Sequence, residues 1–99
     1  MFMINLLQLT GFDWDDGNTN KNWTKHRVDY KECEEIFNDN FLFILPDNVH
    51  SQKENRYHAL GKTNHNRFLF ISFTVRNNKI RIISARDMNK KERKIYEQR

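Results

Sequence analysis

The sequence predicts an α+β domain in which a mainly antiparallel sheet has two N-terminal helices packed on one face and a third helix at its C-terminal end. The predicted order is β-α-α-β-β-β-β-α. Two observations favour it: segments with helical spacing lie within residues 15–37, and apolar strand-like segments follow one another between residues 41 and 86. Ninety-nine residues are enough for one such domain, 1–99, around one modest core.

The first three elements are predicted from an apolar start and two helix-capping signals. Residues 2–14 mix apolar and polar side chains and are predicted as the first strand. Asp15 is the predicted N-cap of a helix that extends to His26, because its carboxylate can accept N–H groups of the first turn. Asp29 begins a capping-box pattern, and apolar residues then recur at helical spacing up to Phe37, which predicts a second helix.

Four strands and a last helix are predicted in the remainder of the chain. Asn77-Asn78 suits a two-residue hairpin turn, because Asn tolerates the positive φ that such turns require. Asn89, followed three residues later by Glu92, repeats the capping pattern and opens the C-terminal helix. The four predicted strands are Phe41–Leu45, Arg56–Lys62, Phe68–Arg76 and Lys79–Arg86.

Side-chain alternation in the last two strands predicts which face of the sheet the helices cover. In the first of the two, the large apolar set expected beneath the helices is Leu69, Ile71, Phe73 and Val75. Strict alternation divides the last strand into two sets, which are Ile80, Ile82, Ser84 and Arg86, and Arg81, Ile83 and Ala85. We assign Ser84 and Arg86 to the open face, an assignment that a β-bulge would change.

The basic residues are concentrated at the C-terminal end. Residues 79–99 contain eight Lys or Arg against three acidic side chains, whereas residues 1–78 contain nine against ten. Residues 29–47 contain six acids and only Lys31 as a basic residue. This distribution favours an anionic partner at the C-terminal end and a cationic partner elsewhere, although a solvated charged surface has the same pattern.

Composition disfavours several classes of protein. Cys33 is the single cysteine, so no intrachain disulfide can form and a reducing compartment is expected. The start of the chain lacks the features of a secretory signal, and no apolar run approaches the ~20 residues of a membrane-spanning helix. His50, His58 and His65 lack metal-ligand spacing. We therefore expect a cytoplasmic protein that uses no membrane, metal or other cofactor.

Two arginines in the last predicted strand point to phosphate as a partner. Arg81 and Arg86 lie within or at the end of an Ile-rich segment, where a guanidinium costs free energy unless it meets an anion. Phosphate matches the planar, permanently charged fork of this group. The alternative is that each arginine forms an ion pair. Arg81 would form it on the helix-covered face, and Arg86 would form it at the surface with Asp87 or Glu92.

Short motifs along residues 12–99 together resemble the BrnT family of bacterial toxins, which is related to the RelE and ParE toxins of type II toxin–antitoxin pairs. Each motif is weak alone, but their order and spacing together are fairly specific. In chain order they are Phe12-Asp13-Trp14-Asp15, Asn18, Asn22, Lys25-His26, the aromatic and acidic segment from Tyr30 to Phe37, Asp39, the Asp47–Ser51 loop, Glu54-x-Arg56, Gly61, Arg67, the segment from Ile80 to Arg86, Glu92 and Tyr96.

Three features depart from the family pattern. Arg27 stands where the family usually has Gly after the Lys-His pair, which is expected to change how the helix ends. Asn66 replaces the usual Gly before Arg67 and is expected only to reshape a turn. Residues 1–9 extend beyond the typical start of the family, as an N-terminal extension or a lengthened first strand.

The resemblance implies a RelE-like fold and an endoribonuclease that cleaves RNA without a metal ion and inhibits translation. It also implies a cognate BrnA-like antitoxin, which is usually a small ribbon-helix-helix DNA-binding protein. The toxin is expected to contact operator DNA only through this antitoxin. The acidic side chains of the second helix, Glu32, Glu34 and Glu35, are the candidate surface for this partner.

Cleavage of RNA without a metal needs a base for the 2′-hydroxyl proton, cations for the charge on the phosphorane, and an acid for the leaving 5′-oxygen. The expected catalytic residues are Arg56, Arg67 and Arg86 with Lys25 at the phosphate, and His26 and Glu54 in proton transfer. The three guanidinium groups are expected to converge on one pocket. Further RNA-binding residues are expected to be Arg81, Ser84, Lys90, Lys91 and Tyr96, the last by stacking on a base or donating a proton.

Structural roles and two other functions remain open from the sequence. Arg56 can bridge to Glu54, the Lys25-His26 pair can complement the dipole of its helix, and Tyr96 can be a packing residue. One alternative function is a ParE-like toxin that binds a protein target and cleaves nothing. The other is a noncatalytic RNA-binding or partner-dependent repressor component.

Overall fold

Residues 8–98 are described by the structure, a computed structural model, and form three helices and one four-stranded antiparallel sheet. The helices are α1 (Asp16–His26), α2 (Tyr30–Ile36) and α3 (Lys90–Gln98), and the strands are β1 (Phe43–Pro46), β2 (Arg56–Lys62), β3 (Phe68–Arg76) and β4 (Lys79–Asp87). Each strand pairs with the next in sequence. The α+β prediction is confirmed, with the order α-α-β-β-β-β-α over the described part of the chain.

The predicted first strand, residues 2–14, is not a regular strand where it can be described. Residues 2–7 lie outside the described residues. In the rest of the segment, Phe12 makes one parallel bridge to Ile80 of β4. Ile80 also exchanges backbone hydrogen bonds of 2.8 and 2.9 Å with this segment. Residues 8–14 therefore follow the edge of β4 without forming a fifth strand.

The predicted capping signals are confirmed at all three helices. In each, the N-cap side chain accepts a backbone N–H of the first turn, and the third helical residue accepts the N–H of the cap. These pairs are Asp15 and Asn18 for α1, Asp29 and Glu32 for α2, and Asn89 and Glu92 for α3. Each box satisfies backbone N–H groups that the start of a helix otherwise leaves free.

Both positions where the family usually has Gly adopt the left-handed backbone conformation. Arg27, the C-cap of α1, has a φ of 54°, and Asn66 has a φ of 66°. The expected change in the ending of α1 is therefore not found: Arg27 adopts the left-handed conformation that Gly usually takes at this position, although side chains with a Cβ disfavour it. Asn77 and Asn78 also have positive φ, which confirms the predicted two-residue hairpin turn.

The helices α1 and α2 cover one face of the sheet, as predicted. The core on this face includes fully buried Leu69, Ile71 and Phe73 of β3. Gly61 of β2 allows the close approach of α2, because a Cβ at this position would lie 2.8 Å from the Cβ of Ile36.

Two buried asparagines join α1 to the outer edge of β4. The side-chain amide of Asn18 donates to the carbonyl of Ile82 at 3.1 Å. The side-chain oxygen of Asn22 accepts the backbone N–H of Ala85 at 2.9 Å. These side chains supply hydrogen-bond partners that β4 lacks on the side away from β3.

A β-bulge in β4 changes the predicted alternation of its side chains. Ser72 of β3 pairs with Ser84, but the next residue of β3, Phe73, pairs with Ile82. Ile83 is therefore the extra residue of the bulge. The side chains before Ile83 therefore alternate between the two faces in the opposite phase to those after it.

The bulge corrects the predicted positions of three residues. Ile80 and Ile82, which alternation placed with Ser84 and Arg86, are buried on the helix-covered face. Arg81, which alternation placed on that covered face, pairs instead with Thr74 of the opposite face. The β4 residues whose partners in β3 belong to the open face are Lys79, Arg81, Ser84 and Arg86.

The last helix, α3, covers one end of the open face. The Tyr96 hydroxyl donates to Asp39 Oδ2 at 2.5 Å, and the Tyr96 ring meets the Phe68 ring edge to face at 5.7 Å. The Arg93 guanidinium lies 3.4 Å above the Phe68 ring. The middle of the open face lies beyond this covered end.

Candidate active site

Side chains opposite one another on β2, β3 and β4 form three rows across the open face. In order along the sheet, the rows are Arg56–Thr74–Arg81, His58–Ser72–Ser84 and Leu60–Phe70–Arg86. The middle one, called the central row below, carries two short hydroxyl side chains and an imidazole. The outer rows carry arginines and are four residues apart along β3, or about 13 Å. The open face is thus a shallow strip with guanidinium groups at both ends.

Arg56 makes only weak contact with a carboxylate. Its Nη2 lies 4.0 Å from Glu54, and its Nε is buried without a hydrogen-bond partner among residues 8–98. Glu54 instead accepts two hydrogen bonds from Arg76, at 3.1 and 3.2 Å, and these bonds hold the pKa of Glu54 below its usual value. A carboxylate held in this way is a poor proton acceptor, which disfavours Glu54 as a base in the proton transfer for which it is a candidate.

Arg81 combines a structural ion pair with a place on the open face. Its Nη2 donates to Asp15 Oδ2 at 2.8 Å, and its Nη1 lies 3.5 Å from Asp13. The backbone hydrogen bonds of Asn18 and then the side-chain hydrogen bond from Arg81 lower the pKa of Asp15. The ion pair was predicted, but the predicted face was wrong because of the bulge.

Arg86 is held by a carboxylate of α3. Both terminal nitrogens of its guanidinium donate to Glu92, at 2.8 Å each, and its Cζ lies 4.3 Å above the Phe70 ring. Burial opposes ionisation of Glu92, but the hydrogen bonds from Arg86 and Asn89 outweigh it and lower the Glu92 pKa. The ion pair with Glu92 is the structural alternative predicted from the sequence.

The central row contains an imidazole that the sequence analysis did not select. His58 Nε2 lies 3.1 Å from Asp47 Oδ2, and Asp47 is buried with its side chain only 8% exposed. The imidazole of His50 approaches the same oxygen at 2.8 Å. Burial raises the Asp47 pKa, but the hydrogen bond from His50 and the charge of His58 outweigh it, so that pKa is lowered.

The Asp47–Ser51 motif explains how Asp47 reaches His58. Ser51 Oγ donates to the carbonyl of Asp47 at 2.6 Å and accepts the backbone N–H of Arg56 at 2.9 Å. The backbone N–H of Asp47 donates to the carbonyl of Arg56 at 2.8 Å. The motif thus closes the loop onto the first residue of β2, two residues before His58. The short distance in sequence between this motif and His58 was the signal that could have identified His58.

Arg67 lies on the helix-covered side and does not join the open face. It donates to Asp87 at 2.7 and 3.1 Å, to Glu32 at 3.0 Å, and to the carbonyls of His26 and Arg27 at 3.2 and 2.8 Å. These contacts tie the end of α1, the start of α2 and the end of β4 together. Arg67 therefore has a structural role here.

The predicted convergence of catalytic residues is not found. His26 and Lys25 lie in the last turn of α1, beside Arg67, whereas Arg56 and Arg86 lie on the opposite face of the sheet. Sequence reasoning assigned Arg86 to the open face, where it lies. It gave no face for Lys25, His26 or Arg56, because the packing of α1 on the sheet is set by tertiary contacts.

Of the residues predicted to bind RNA, the lysines are accessible and the tyrosine is not. Lys90 and Lys91 are exposed in the first turn of α3. Tyr96 is buried, 6% exposed, and its hydroxyl donates to Asp39. Its ring is covered by packing in this structure, and its role in RNA binding stays a prediction.

The acidic side chains of α2, predicted to face an antitoxin, make contacts within the chain. Glu34 accepts the indole N–H of Trp14 at 2.8 Å, and Glu35 accepts the backbone N–H of Asn64 at 2.9 Å. Glu32 pairs with Arg67. Much of the acidic charge of α2 is therefore engaged in contacts that stabilise the fold of this chain.

Other reactive groups do not add to this site. Burial raises the pKa of Cys33 to about 12, which keeps its thiol protonated and unreactive. Within residues 8–98 no group of three or more His, Cys, Asp or Glu side chains is arranged to hold a metal ion. No helix in the same range is long and apolar enough to span a membrane.

The comparisons with known proteins agree with the resemblance noted in the motifs. The family described as the ribonuclease toxin BrnT of type II toxin–antitoxin systems matches residues 14–92. The crystal structure of the ribonuclease toxin BrnT from Brucella abortus superposes with a TM-score of 0.61 at 19% identity, over 81% of this chain and 97% of that chain. That likeness shows a shared fold. No curated protein matches the chain. The chain therefore belongs to the BrnT family of ribonuclease toxins of type II toxin–antitoxin systems.

Proposed function

We propose that this protein is a metal-independent endoribonuclease toxin that cleaves RNA on the open face of its sheet and thereby inhibits translation. The phosphate contacts come from Arg56 at one end of the face and Arg86 at the other, with Arg81 beside Arg56. This set replaces the wider one predicted from the sequence, because Lys25, His26 and Arg67 lie on the covered side.

The observation that carries the proposal is the arrangement of the three rows. Ser72 and Ser84 are short, so an RNA backbone can lie close to the sheet along the central row. Arg56 and Arg86 flank that row and suit contacts with neighbouring phosphates rather than with one phosphate alone. Preorganised cations of this kind contribute roughly 3–4 kcal/mol each to stabilising charge that develops in a transition state.

The start of α3 extends the cationic surface beyond the rows. Lys90 and Lys91 are exposed and lie close in sequence to Glu92, the partner of Arg86. Lysines that neutralise phosphates add affinity that is independent of sequence and falls with salt. We assign Lys90 and Lys91 this role.

Membership of a type II family supports an antitoxin as the partner of this chain. We propose a cognate BrnA-like antitoxin of the ribbon-helix-helix type that acts in the cytoplasm and contacts operator DNA on behalf of the complex. The proposal predicts that the toxin alone does not bind its operator, whereas the complex does, in a gel-shift assay at physiological salt.

Purified protein tests the proposed activity directly. In the presence of EDTA it should cleave RNA and leave 2′,3′-cyclic phosphate ends. Arg56→Ala and Arg86→Ala should each lower kcat/KM by about 10²-fold or more, following the size of a lost charge-stabilising group. Lys21→Ala is the matched control, because it removes one exposed positive charge from α1 and should leave the rate unchanged.

Three outcomes would contradict the proposal. RNA that stays intact while expression of the toxin arrests growth and DNA supercoiling fails would favour the ParE-like alternative. Full cleavage by both arginine variants would remove the open face as the site. A chain that neither arrests growth nor cleaves RNA would favour the noncatalytic repressor component.

A further inference from the structure

A carboxylate and an imidazole form a dyad at the centre of the open face. His58 Nε2 lies 3.1 Å from Asp47 Oδ2, and the His58 side chain is 29% exposed. Its ring lies against the Phe70 ring, with centroids 4.7 Å apart. Asp47 and Phe70 therefore contact the imidazole, one as an ion-pair partner and the other as a neighbouring ring, while 29% of the His58 side chain stays exposed.

The second nitrogen of the ring is available for proton transfer. His58 Nδ1 has no hydrogen-bond partner within the described range 8–98. An imidazole held at one nitrogen by a carboxylate can use the other to take or give a proton. His58 belongs to the same row as Ser72 and Ser84, along which the RNA backbone is proposed to lie.

We propose that His58 is the catalytic base of the RNA cleavage and that Asp47 is its positioning residue. This inference rests on the proposed function of the open face. The 2′-hydroxyl oxygen bonds to the phosphorus and its proton moves to His58 Nδ1. The bond from phosphorus to the 5′-oxygen breaks, and that oxygen takes a proton from water. The products are a 2′,3′-cyclic phosphate and a 5′-hydroxyl.

The other imidazole on Asp47 is not placed for this role. The His50 side chain is 63% exposed and belongs to the loop before β2, whereas His58 belongs to the strand itself. His50 therefore braces the loop and serves as an internal control for His58.

Several charged or titratable groups face His58. The charge of His58 is close enough to Glu92 to lower the Glu92 pKa, together with the larger effect of Arg86. The facing groups are Asp47 and His50 from the loop, Arg56 from the same strand, Arg86 from β4 across the Phe70 ring, and Glu92 from α3.

The first test compares His58→Gln with His50→Gln. His58→Gln should lower the cleavage rate by 10²–10⁴-fold, the usual contribution of a general base. It should bind an RNA with a 2′-deoxy residue at the cleavage site within about threefold of wild type, since binding uses the arginines. His50→Gln should keep the rate, because the glutamine amide can still donate to Asp47. A full rate for folded His58→Gln would overturn the inference.

The second test uses Asp47→Asn and separates kcat from KM. A merely structural Asp47 would lower the amount of folded protein and leave kcat per folded molecule unchanged. A positioning Asp47 orients the imidazole for proton transfer, so Asp47→Asn should lower kcat about tenfold or more and leave KM within about threefold of wild type. An unchanged kcat for the folded variant would overturn its role, and this readout decides the matter if His58→Gln does not fold.

The outcomes separate this inference from the proposed function. If wild-type protein cleaves RNA and the Arg56 and Arg86 variants fail, while His58→Gln cleaves at full rate, only the dyad is wrong. If wild-type protein leaves RNA intact, both fail.

Discussion

Arg86 and Glu92 are joined by two parallel hydrogen bonds of 2.8 Å, one from each terminal guanidinium nitrogen. A carboxylate and a phosphate present oxygens to an arginine in the same two-pronged geometry. Glu92 therefore binds the two terminal guanidinium nitrogens of Arg86 that, in the proposed function, bind an RNA phosphate. Any phosphate that reaches this fork has to compete with Glu92.

Replacing Glu92 by Gln should strengthen RNA binding. Glutamine keeps the size of the side chain but removes the charge that competes with phosphate, so the Kd for uncleavable RNA should fall by about threefold to tenfold. Fluorescence anisotropy at two salt concentrations would measure it. Glu97→Gln is the control, since it makes the same charge change on α3 at a side chain that pairs with Arg93 instead. Equal gains from both variants would show a general charge effect and contradict the competition.

Adding a methyl group at Gly61 should destabilise the fold. The new Cβ would lie 2.8 Å from the Cβ and 3.1 Å from the carbonyl oxygen of Ile36, so α2 would have to move away from β2. We expect Gly61→Ala to lower the free energy of unfolding by about 1–3 kcal/mol in urea denaturation. Ile36→Val should not rescue it, because the two closest atoms remain. Restored stability in the Gly61→Ala, Ile36→Val double variant would show that the destabilising contact is with the end of the Ile36 side chain.

Restoring the family glycine at position 27 should stabilise the protein. Arg27 has a φ of 54°, a conformation that costs a non-glycine residue roughly 1–2 kcal/mol. Its guanidinium lies 5.4 Å from the exposed Trp23 ring, a contact that offsets about 0.5 kcal/mol of that cost. Arg27→Gly should therefore raise the free energy of unfolding by about 0.5–1 kcal/mol. Arg27→Ala, which keeps the strain, should give no gain.

Removing the Arg67 brace should lower stability in a way that depends on pH. Hydrogen bonds from Arg67 lower the Asp87 pKa. Since the folded-state pKa lies below the unfolded value, this contribution is complete above the ordinary carboxyl range and is lost as pH falls through it. Arg67→Gln should cost about 2 kcal/mol at pH 7, and the difference from wild type should shrink below about pH 4. A constant difference across pH would contradict the role of Asp87. RNA affinity of the folded variant should be unchanged.

Local signals predicted much of the fold. The three capping boxes, the Asn77-Asn78 turn and the strands Arg56–Lys62 and Phe68–Arg76 match the structure within the described residues, because each depends on neighbours in sequence. The described part of the first predicted strand, residues 8–14, is not a regular strand, because it meets the edge of β4 at one bridge only.

The candidate site was less predictable because it depends on distant pairing. One extra residue at Ile83 put Arg81 on the open face, and nothing in the Ile-rich segment marks which residue bulges. The contacts of Arg67 with carbonyls of α1 could not be foreseen, since a lone arginine after a turn gives no sign that they lie beside it. His58 was not selected from the sequence, although the Asp47–Ser51 motif leads directly to its strand.

The asparagines of α1 have a consequence for self-association. An outermost strand with free N–H and C=O groups invites another chain to extend the sheet, which is a route to aggregates. Asn18 and Asn22 occupy such groups at Ile82 and Ala85. Replacing either asparagine should therefore increase the tendency of the protein to form fibrils or higher oligomers through the outer edge of β4.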